Sequence, residues 1–332
     1  MSYQIGSFQL SSRLLLAPMA GITDRPYRDI CRKYGAGLAS SEMITSDMSL
    51  MHTKKTQQRL PQRNEPGPRS AQIVGTEPKT MANAAIFNVE HGADIIDINM
   101  GCPAKKVCNK AAGSALMRDT DLVKRILNAV VAAVDVPVTL KIRTGWATSQ
   151  RNALEIAKIA EDAGISSLAI HGRTRNQGYT GHTEYETIRQ IKQLLSIPIL
   201  ANGDIKTIED ARFIYEYTQV DGLMLGRISH GQPWIFKEIN DILNDAAPCL
   251  PIRLSEKIRT TLQHINAIHR YYGTDQGVRI ARKHIGWYLS TLLGQEQHLL
   301  KPLTKEIYPL TCTKAQMDKL SETLDSLKSR SL

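Results

Sequence analysis

The sequence lacks the features of a secreted, membrane-spanning or zinc-binding protein. Its 332 residues contain no run of about 18 apolar residues, and no positively charged segment leads into an apolar stretch near the first residue. The five cysteines are an odd number, with no Cys-x-x-Cys pair and no cluster with histidine at zinc spacing. We therefore expect a cytoplasmic protein in a reducing compartment, without a membrane span and without a metal.

The sequence also lacks a glycine-rich nucleotide motif and has fewer acidic than basic residues, and both features reduce the range of possible functions. No Gly-x-Gly-x-x-Gly follows the first predicted strand, which argues against a Rossmann nucleotide site. Acidic residues are outnumbered, because 42 Lys and Arg face 32 Asp and Glu and give a net charge of +10. This surplus favours a polyanionic partner such as a nucleic acid, and a basic protein without such a partner is the alternative on charge alone.

Short apolar runs alternate with longer amphipathic stretches over the first three quarters of the chain. This pattern is typical of parallel strands joined by crossover helices. Because each strand is followed by a helical stretch, the pattern predicts an α/β fold, a closed (β/α)8 TIM barrel, rather than an open doubly wound sheet. The eight predicted strands are 14–17, 38–40, 71–74, 95–99, 138–141, 168–171, 199–202 and 223–225.

The alternation ends near residues 245–251, where two prolines mark a predicted linker. Beyond it, four predicted helices at 253–272, 276–293, 297–308 and 314–329 form a small bundle. Residues 251–332 hold 13 Lys and Arg against 7 Asp and Glu, more than half of the excess charge. We predict a barrel domain over 1–246 and a C-terminal all-helical domain over 251–332.

Function in a barrel is expected directly after the strands, because barrel sites lie at the carboxyl ends of the strands. Cys102 lies in a Gly-Cys-Pro turn after the fourth predicted strand, where its thiol could donate a proton. The alternative is an inert cysteine that fills a tight turn. Lys141 ends the fifth strand and could hold a flavin ring edge or a substrate carbonyl, unless it extends outward to solvent.

The last three predicted strands end in residues suited to phosphate. His171 ends the sixth strand, and Arg173 follows it at a position suited to phosphate or base contacts. Asn202-Gly203-Asp204 and Gly226-Arg227 follow the seventh and eighth strands, whose loops commonly bind phosphate in barrels. These loops predict a phosphorylated cofactor, with an ordinary turn as the alternative for Gly-Arg.

One predicted helix of the C-terminal domain carries a basic face. Arg279, Arg282 and Lys283 are spaced i, i+3 and i+4, with Trp287 and Tyr288 one turn further on. Cations beside aromatic rings suit a nucleic acid, where phosphate attraction and base stacking combine. A solvated face over a packed tryptophan is the alternative.

Taken together, the strand-end segments resemble the tRNA-dihydrouridine synthases, and among them the bacterial B type. The matching segments are APMAGITDRPYR (17–28), SEM (41–43), QIVG (72–75), DINMGCPAKKV (97–107), GSAL (113–116), VTLKIRTGW (138–146), IHGRTR (170–175), ANGDI (201–205), GRISHGQPWIF (226–236) and RIARKHIGWYL (279–289). The resemblance implies an FMN-binding barrel with a C-terminal helical tRNA-binding domain. Such an enzyme reduces a D-loop uridine of tRNA to 5,6-dihydrouridine, with NADPH or NADH as the reductant.

The resemblance also implies roles for single residues. Cys102 would be the general acid that protonates the uracil carbon. The contacts to FMN would come from Pro18, Met19, Ala20, Gln72, Lys141, His171, Asn202, Gly203, Asp204, Gly226 and Arg227. Asn99 would help to hold the uracil, and the cations that we predict at the substrate are Arg143, Arg173, Arg279, Arg282 and Lys283. We expect a monomer.

Two other functions fit part of the sequence. An FMN barrel of the dihydroorotate dehydrogenase or old yellow enzyme kind, acting on a small molecule, would explain the phosphate loops and Lys141 but leave the basic helices without a role. A tRNA-binding protein that folds its RNA would use the helices but not Cys102.

Overall fold

The computed structural model describes residues 3–62, 64–244 and 251–330. The chain divides into two compact units, Met1–Gly226 and Arg227–Leu332. This corrects the predicted boundary at 246–251, because the Trp234 ring packs within the second unit, 6.1 Å from the Tyr288 ring and 5.3 Å from Lys257 Nζ. Most of the predicted linker, 245–250, lies outside the described residues.

The first unit contains two sheets. A nine-stranded parallel sheet has the order β4-β3-β11-β10-β9-β8-β7-β6-β5, and an isolated parallel bridge between Ser40 and Ser70 joins β4 to β6. The ring of strands is therefore closed, and the predicted TIM barrel is confirmed. The strands are β1 Tyr3–Ile5, β2 Phe8–Leu10, β3 Leu14–Leu16, β4 Leu38–Ala39, β5 Ile44–Thr45, β6 Ser70–Val74, β7 Ile95–Met100, β8 Val138–Arg143, β9 Ser167–His171, β10 Ile199–Asn202 and β11 Gly222–Leu225.

The barrel strands form where β-branched and leucine residues run together. Every residue of β7 to β11 is buried, as expected for parallel strands covered on both faces. Pro137 and Pro198 directly precede β8 and β10, where a missing N–H costs no bond of the ladder. All eight predicted strands are present, each within a residue or two of its expected ends.

Helices follow the strands, and several begin at a side-chain cap. Asp24 accepts a hydrogen bond from the Tyr27 N–H at the start of α1, and Thr207 forms a capping box with Asp210 at the start of α8. The helices of the first unit are α1 Arg25–Lys33, α2 Lys54–Gln57, α3 Pro78–Glu90, α4 Lys105–Cys108, α5 Thr120–Val131, α6 Ala153–Asp162, α7 Glu186–Leu194 and α8 Ile208–Thr218.

The hairpin of β1 and β2 is an element that the sequence analysis missed. It is antiparallel, and Tyr3 and Ile5 pack with Leu15, Leu200 and other residues of the barrel interior. The Tyr3 hydroxyl lies 2.5 Å from the hydroxyl of Ser167, the first residue of β9. The hairpin therefore covers the end of the barrel opposite to the carboxyl ends of the strands. Three-residue strands are too short to show an alternation in the sequence.

The second unit is helical. Gly273 has φ 77° and ψ −178°, a conformation restricted to glycine, and it interrupts α10. The interruption confirms two predicted helices, which end before and begin after this residue. Ile265, Ile285 and Leu289 of α10 are fully buried with Leu320 of the last helix. The helices are α9 Ile235–Leu243, α10 Leu254–Leu293, α11 Leu300–Ile307 and α12 Thr313–Arg330.

Candidate active site at the carboxyl ends of the barrel strands

A chain of buried polar side chains crosses three neighbouring strands beside the turn that carries Cys102. Asp97 accepts hydrogen bonds from Gln72 Nε2 at 2.6 Å and from Thr139 Oγ1 at 2.7 Å. Burial nevertheless raises the pKa of Asp97 to about 6. Gln72 Oε1 accepts from Asn99 Nδ2 at 2.7 Å, so the Gln72 amide is oriented from both ends.

Asn99 connects this chain to the cysteine turn. Its Oδ1 accepts the backbone N–H of Cys102 at 2.9 Å and that of Gly101 at 3.2 Å. The side chain is only 8% exposed. The carbonyl oxygen of Asn99 thus holds the backbone of the turn, and its predicted contact with the uracil stays a prediction. Asn99 therefore positions Cys102.

The carbonyl of Cys102 is held from the other side of the turn. Ser114 donates to it from Oγ at 2.9 Å and from the backbone at 3.1 Å, and Cys108 Sγ lies 3.6 Å from the same oxygen. Gly113 has φ 62°, and an added Cβ would lie 2.9 Å from that oxygen. The sequence reasoning gave no role to Gly113, Ser114 or Cys108. The GSAL segment was the only signal for the first two.

The Cys102 thiol is in a state suited to acid catalysis. Burial raises its pKa, and the N–H of Ala104 and the charges of Arg143 and Lys141 lower it only in part. A thiol with a raised pKa stays protonated at neutral pH, so it can donate a proton.

Lys141 is buried inside the barrel and not extended to solvent. Its Nζ donates to Asn202 Oδ1 at 2.9 Å, and Asn202 Nδ2 donates to the Met224 carbonyl at 2.8 Å. The side chain is 9% exposed. Burial lowers the pKa of Lys141 to about 8; the charge of Arg143 lowers it too, while Asp97 acts in the opposite direction. The ammonium group is therefore still mostly charged at neutral pH.

Arg143 is fixed by backbone carbonyls. Its Nε donates to Gly101 at 2.7 Å, and its Nη1 donates to Thr174 at 3.0 Å and to Gly178 at 2.9 Å. The guanidinium carbon lies 5.6 Å from the centre of the Tyr179 ring. Among the described residues Nη2 has no hydrogen-bond partner, so Arg143 keeps a charged donor for a ligand.

Arg173 and Asp204 form a partly buried ion pair. Arg173 Nη1 donates to Asp204 Oδ1 at 2.9 Å, and Nη2 donates to Oδ2. The same guanidinium donates to the carbonyls of Thr180 at 3.0 Å and Gly181 at 2.7 Å. Burial raises the pKa of Asp204, but the hydrogen bond and charge of Arg173 hold it below its usual range. Arg173 is 2% exposed and holds the loop over 174–181, and its predicted contact with the substrate stays a prediction.

The loop after β10 packs closely on His171. Gly203 has φ 117°, and an added Cβ would lie 2.8 Å from His171 Cδ2. Tyr185 Oη donates to the Gly203 carbonyl at 2.8 Å. Glycine is therefore required at 203 by the fold itself, and the structure brings this residue and His171 together.

The turn after β3 brings Pro18, Met19 and Ala20 to the same end of the barrel. The Met19 N–H donates to Thr23 Oγ1 at 3.0 Å, which fixes the turn. An added Cβ at Gly226 would meet only Met19 Sδ at 3.7 Å and Ala17 Cβ at 3.8 Å, which are ordinary contacts. Packing alone does not require a glycine at 226.

Glu42 is a further residue that the sequence reasoning missed. Its Oε2 accepts the backbone N–H of Gly21 at 2.7 Å and an N–H of Arg59 at 2.8 Å. The side chain is buried, so it ties the turn after β3 to the loop that carries Arg59. The SEM segment was the signal in the sequence.

The remaining predicted cations lie in the second unit. Arg227 is exposed and begins the short 3-10 turn Arg227–Ser229. On α10, Arg279 is exposed, whereas Arg282 and Lys283 are half-buried. These side chains can reach a polyanion on the surface of this unit.

The aromatic residues beside that basic face are packed rather than open. Tyr288 is fully buried, and His264 Nδ1 lies 3.0 Å from its hydroxyl. The Trp287 ring is stacked on His230, with 4.1 Å between the ring centres and 17° between the planes. Tyr288 is therefore not available for stacking with a base, because the ring belongs to the core of the unit.

The residues of the first unit fit a flavin nucleotide. Among the described residues the buried Lys141 ammonium has only Asn202 as a hydrogen-bond acceptor, so donors remain for the polar edge of a flavin ring. An added Cβ at Gly226 would make only ordinary contacts, at the strand end where a phosphate is expected. Both features belong to the set that the sequence predicted for FMN.

Two findings concern features that the described residues do not contain. No helix within 3–62, 64–244 and 251–330 is long and apolar enough to cross a membrane. In the same ranges no three His, Cys, Asp or Glu side chains are grouped so that they could hold a metal ion.

The sequence matches the family model described as dihydrouridine synthase over residues 15–323. It is 57% identical over 294 residues to a tRNA-dihydrouridine synthase B of Pseudomonas syringae pv. tomato, covering 89% of this chain and 87% of that protein. It is also 57% identical over 286 residues to a tRNA-dihydrouridine synthase B of Shewanella oneidensis, covering 86% of this chain and 89% of that protein.

The fold is similar to that of a solved structure. A structure of a variant of NCR from Zymomonas mobilis matches with a TM-score of 0.51 and 17% identity, covering 76% of this chain and 91% of that chain. At this identity the likeness shows the fold alone.

Proposed function

The chain belongs to the dihydrouridine synthase family, as the sequence motifs indicated, and we propose that it reduces a D-loop uridine of tRNA to 5,6-dihydrouridine. It is an enzyme, a flavin-dependent oxidoreductase of that family. The finer assignments that we propose are FMN as the flavin, NADPH or NADH as the reductant, and Cys102 as the general acid. We also propose that the protein acts as a monomer in the cytoplasm.

The observation that carries the proposal is the hydrogen-bonded turn around Cys102. Asn99 holds its N–H and Ser114 holds its carbonyl, so the cysteine backbone is fixed on both sides. The raised pKa of the thiol keeps its proton at neutral pH. A fixed, protonated thiol at the carboxyl ends of barrel strands has the position and the proton that a general acid needs.

The residues that would hold FMN lie on successive strand ends of the first unit. Lys141 and Gln72 would donate to the ring, and the backbone at Gly203 and Gly226 would approach the phosphate. When bound in its reduced form, FMN supplies a hydride to one carbon of the uracil double bond.

The protein's own residues supply the proton and the charge. Cys102 donates its proton to the neighbouring uracil carbon. Negative charge grows on a uracil carbonyl while the double bond is reduced, and a charged donor aimed at that oxygen lowers the barrier. Arg143 Nη2 and Lys141 Nζ are the charged donors that we assign to this role.

The second unit would bind the tRNA. A uridine must leave its stack to reach a barrel site, which costs least in a loop of folded RNA. The excess of Lys and Arg over residues 251–332 would attract the phosphates. Arg279, Arg282 and Lys283 are the side chains that we assign to this contact.

The test is nucleoside analysis of unmodified tRNA after anaerobic incubation with the protein, FMN and NADPH. The native protein should form dihydrouridine, and Cys102→Ala should lose at least about a hundredfold in rate, the scale of general acid catalysis, while keeping FMN. Cys312→Ala is the matched control, because Cys312 is an exposed cysteine of the second unit. Full turnover by Cys102→Ala would refute its role as the acid.

The same experiment separates the two alternatives. A small-molecule oxidoreductase of the dihydroorotate dehydrogenase or old yellow enzyme kind would oxidise NADPH and leave the tRNA unchanged. An RNA-folding protein would act on tRNA structure equally well with Cys102→Ala. The identity of 57% to proteins named tRNA-dihydrouridine synthase B favours the tRNA reaction over both.

A further inference from the structure

A cavity of about 290 Å³ lies in the second unit, at the point where two helical segments begin. Gly273 interrupts α10, so a new helical segment starts at Thr274, and α12 starts at Thr313. We call it the basic cavity. Its lining includes His269, Arg270, Gly273, Thr274, Thr313 and Lys314.

Several groups contribute positive charge at the basic cavity. Arg270 and Lys314 are exposed cations, and no Asp or Glu belongs to the lining in the described part of the unit. The first amides of a helix have no acceptor within the helix and carry the positive end of its dipole. Both helical segments that start here are long enough for this effect, and α12 has 18 residues. The cavity is therefore suited to an anion.

A buried histidine adds a second requirement. His269 is 6% exposed, and its Nε2 lies 2.8 Å from Gln316 Oε1. Gln316 Nε2 donates to the Val278 carbonyl at 3.4 Å, so Oε1 is the end that faces the histidine, and Nε2 of His269 must carry the hydrogen. Burial lowers the pKa of His269, so the ring is neutral at pH 7.

The other ring nitrogen of His269 is therefore an acceptor. Nδ1 is buried and has no hydrogen-bond partner among the described residues. A buried acceptor left without a donor is unfavourable, and a ligand hydroxyl that donates to it would remove that cost. The basic cavity is therefore suited to an anion that also carries a hydrogen-bond donor.

We propose that the basic cavity binds one ribose-phosphate unit of an RNA backbone. The phosphate oxygens accept from Arg270, Lys314 and the first amides of the two helical segments, and a ribose hydroxyl donates to His269 Nδ1. A phosphodiester alone carries only acceptors, whereas the 2′-hydroxyl of ribose can donate. The inference rests on the proposed function in one respect, because the RNA it assigns to the cavity is the tRNA substrate.

The first test measures binding of small probes to the full-length protein. The ribodinucleotide UpU and its deoxy counterpart dUpdU are titrated while the ¹⁵N resonance of His269 Nδ1 is followed by NMR, with His269→Gln to assign the signal. We expect UpU to shift this resonance and to bind roughly tenfold more tightly than dUpdU, the effect of one hydrogen bond. Equal affinities, or no shift with either probe, would overturn the proposal.

The second test measures tRNA affinity against salt. Arg270→Ala with Lys314→Ala should weaken binding roughly tenfold and lower the salt slope by about one unit. The matched control is Arg259→Ala with Lys328→Ala, which removes the same number of charges from the same two helices. Its position in α12 is away from the basic cavity, because residue 328 lies about 21 Å from residue 314 along the helix. If both double variants lose the same tRNA affinity, the tRNA responds only to the net charge of the unit, which contradicts a specific site at the basic cavity.

These measurements do not depend on turnover. If the native protein forms no dihydrouridine but its basic cavity prefers UpU to dUpdU, the proposed function fails and the ribose-phosphate site stands. If dihydrouridine forms and the Arg270 and Lys314 double variant binds tRNA as the native protein does, the site is refuted and the proposed function stands.

Discussion

Replacing Asn99 tests whether the cysteine turn is held as the structure indicates. Asn99→Leu keeps a similar volume but removes three hydrogen bonds, two from the N–H groups of Gly101 and Cys102 and one to Gln72. At about 1 kcal/mol net for each bond, the free energy of unfolding should fall by about 3 kcal/mol. For a unit of this size the melting temperature should then fall by roughly 6 to 12 °C.

The activity of the same variant separates positioning from uracil binding. If Asn99 acts by placing Cys102, Asn99→Leu should lower kcat by roughly a hundredfold, the cost of a misplacement of about 1 Å, and leave KM for tRNA nearly unchanged. Asn99→Asp keeps an acceptor for both backbone N–H groups but places an oxygen against Gln72 Oε1. The Gln72 amide cannot rotate to relieve this repulsion without losing its hydrogen bond to Asp97. It should therefore retain much of kcat while losing stability.

The assays are thermal unfolding followed by near-ultraviolet circular dichroism and dihydrouridine formation under saturating tRNA. A rise in KM at constant kcat would show that Asn99 contacts the uracil directly. A melting temperature within about 1 °C of the native value would refute the hydrogen-bond argument itself.

Two further predictions concern the cofactor and the tRNA. With a pKa of about 8, the charged fraction of Lys141 falls from about nine-tenths at pH 7 to about one-tenth at pH 9. The positive charge is thus present below pH 8 and lost above it. FMN affinity, measured by flavin fluorescence, should therefore weaken from pH 7 to pH 9 in the native protein and stay low and constant in Lys141→Met. Parallel pH profiles in the two proteins would contradict the contact between Lys141 and FMN. Neutralising Arg279, Arg282 and Lys283 together should lower the slope of log affinity against log salt by roughly one unit per lost phosphate contact. An unchanged slope would remove that helix face from the interface.

The architecture was largely predictable from the order of residues. Parallel barrel strands are covered on both faces, so they need continuous apolar runs, and these runs are visible in any sequence that contains them. Gly273 marked the division of α10 for a similar local reason, since few other residues adopt its backbone angles. The end of the first unit was predicted too late, because the packing of Trp234 on Tyr288 joins residues far apart in the chain.

The candidate site was predictable in position and less so in detail. The sequence determined that Cys102, Lys141 and Arg143 lie at or just beyond the carboxyl ends of barrel strands, because strand ends are set by local pattern. Only the tertiary structure decided that the carbonyl oxygen of Asn99 accepts hydrogen bonds from the cysteine turn and that Arg173 is paired with Asp204. The reason is physical: apolar periodicity is encoded by near neighbours, whereas the partner of a buried polar group is chosen by whichever complementary group the folded chain brings within hydrogen-bond distance.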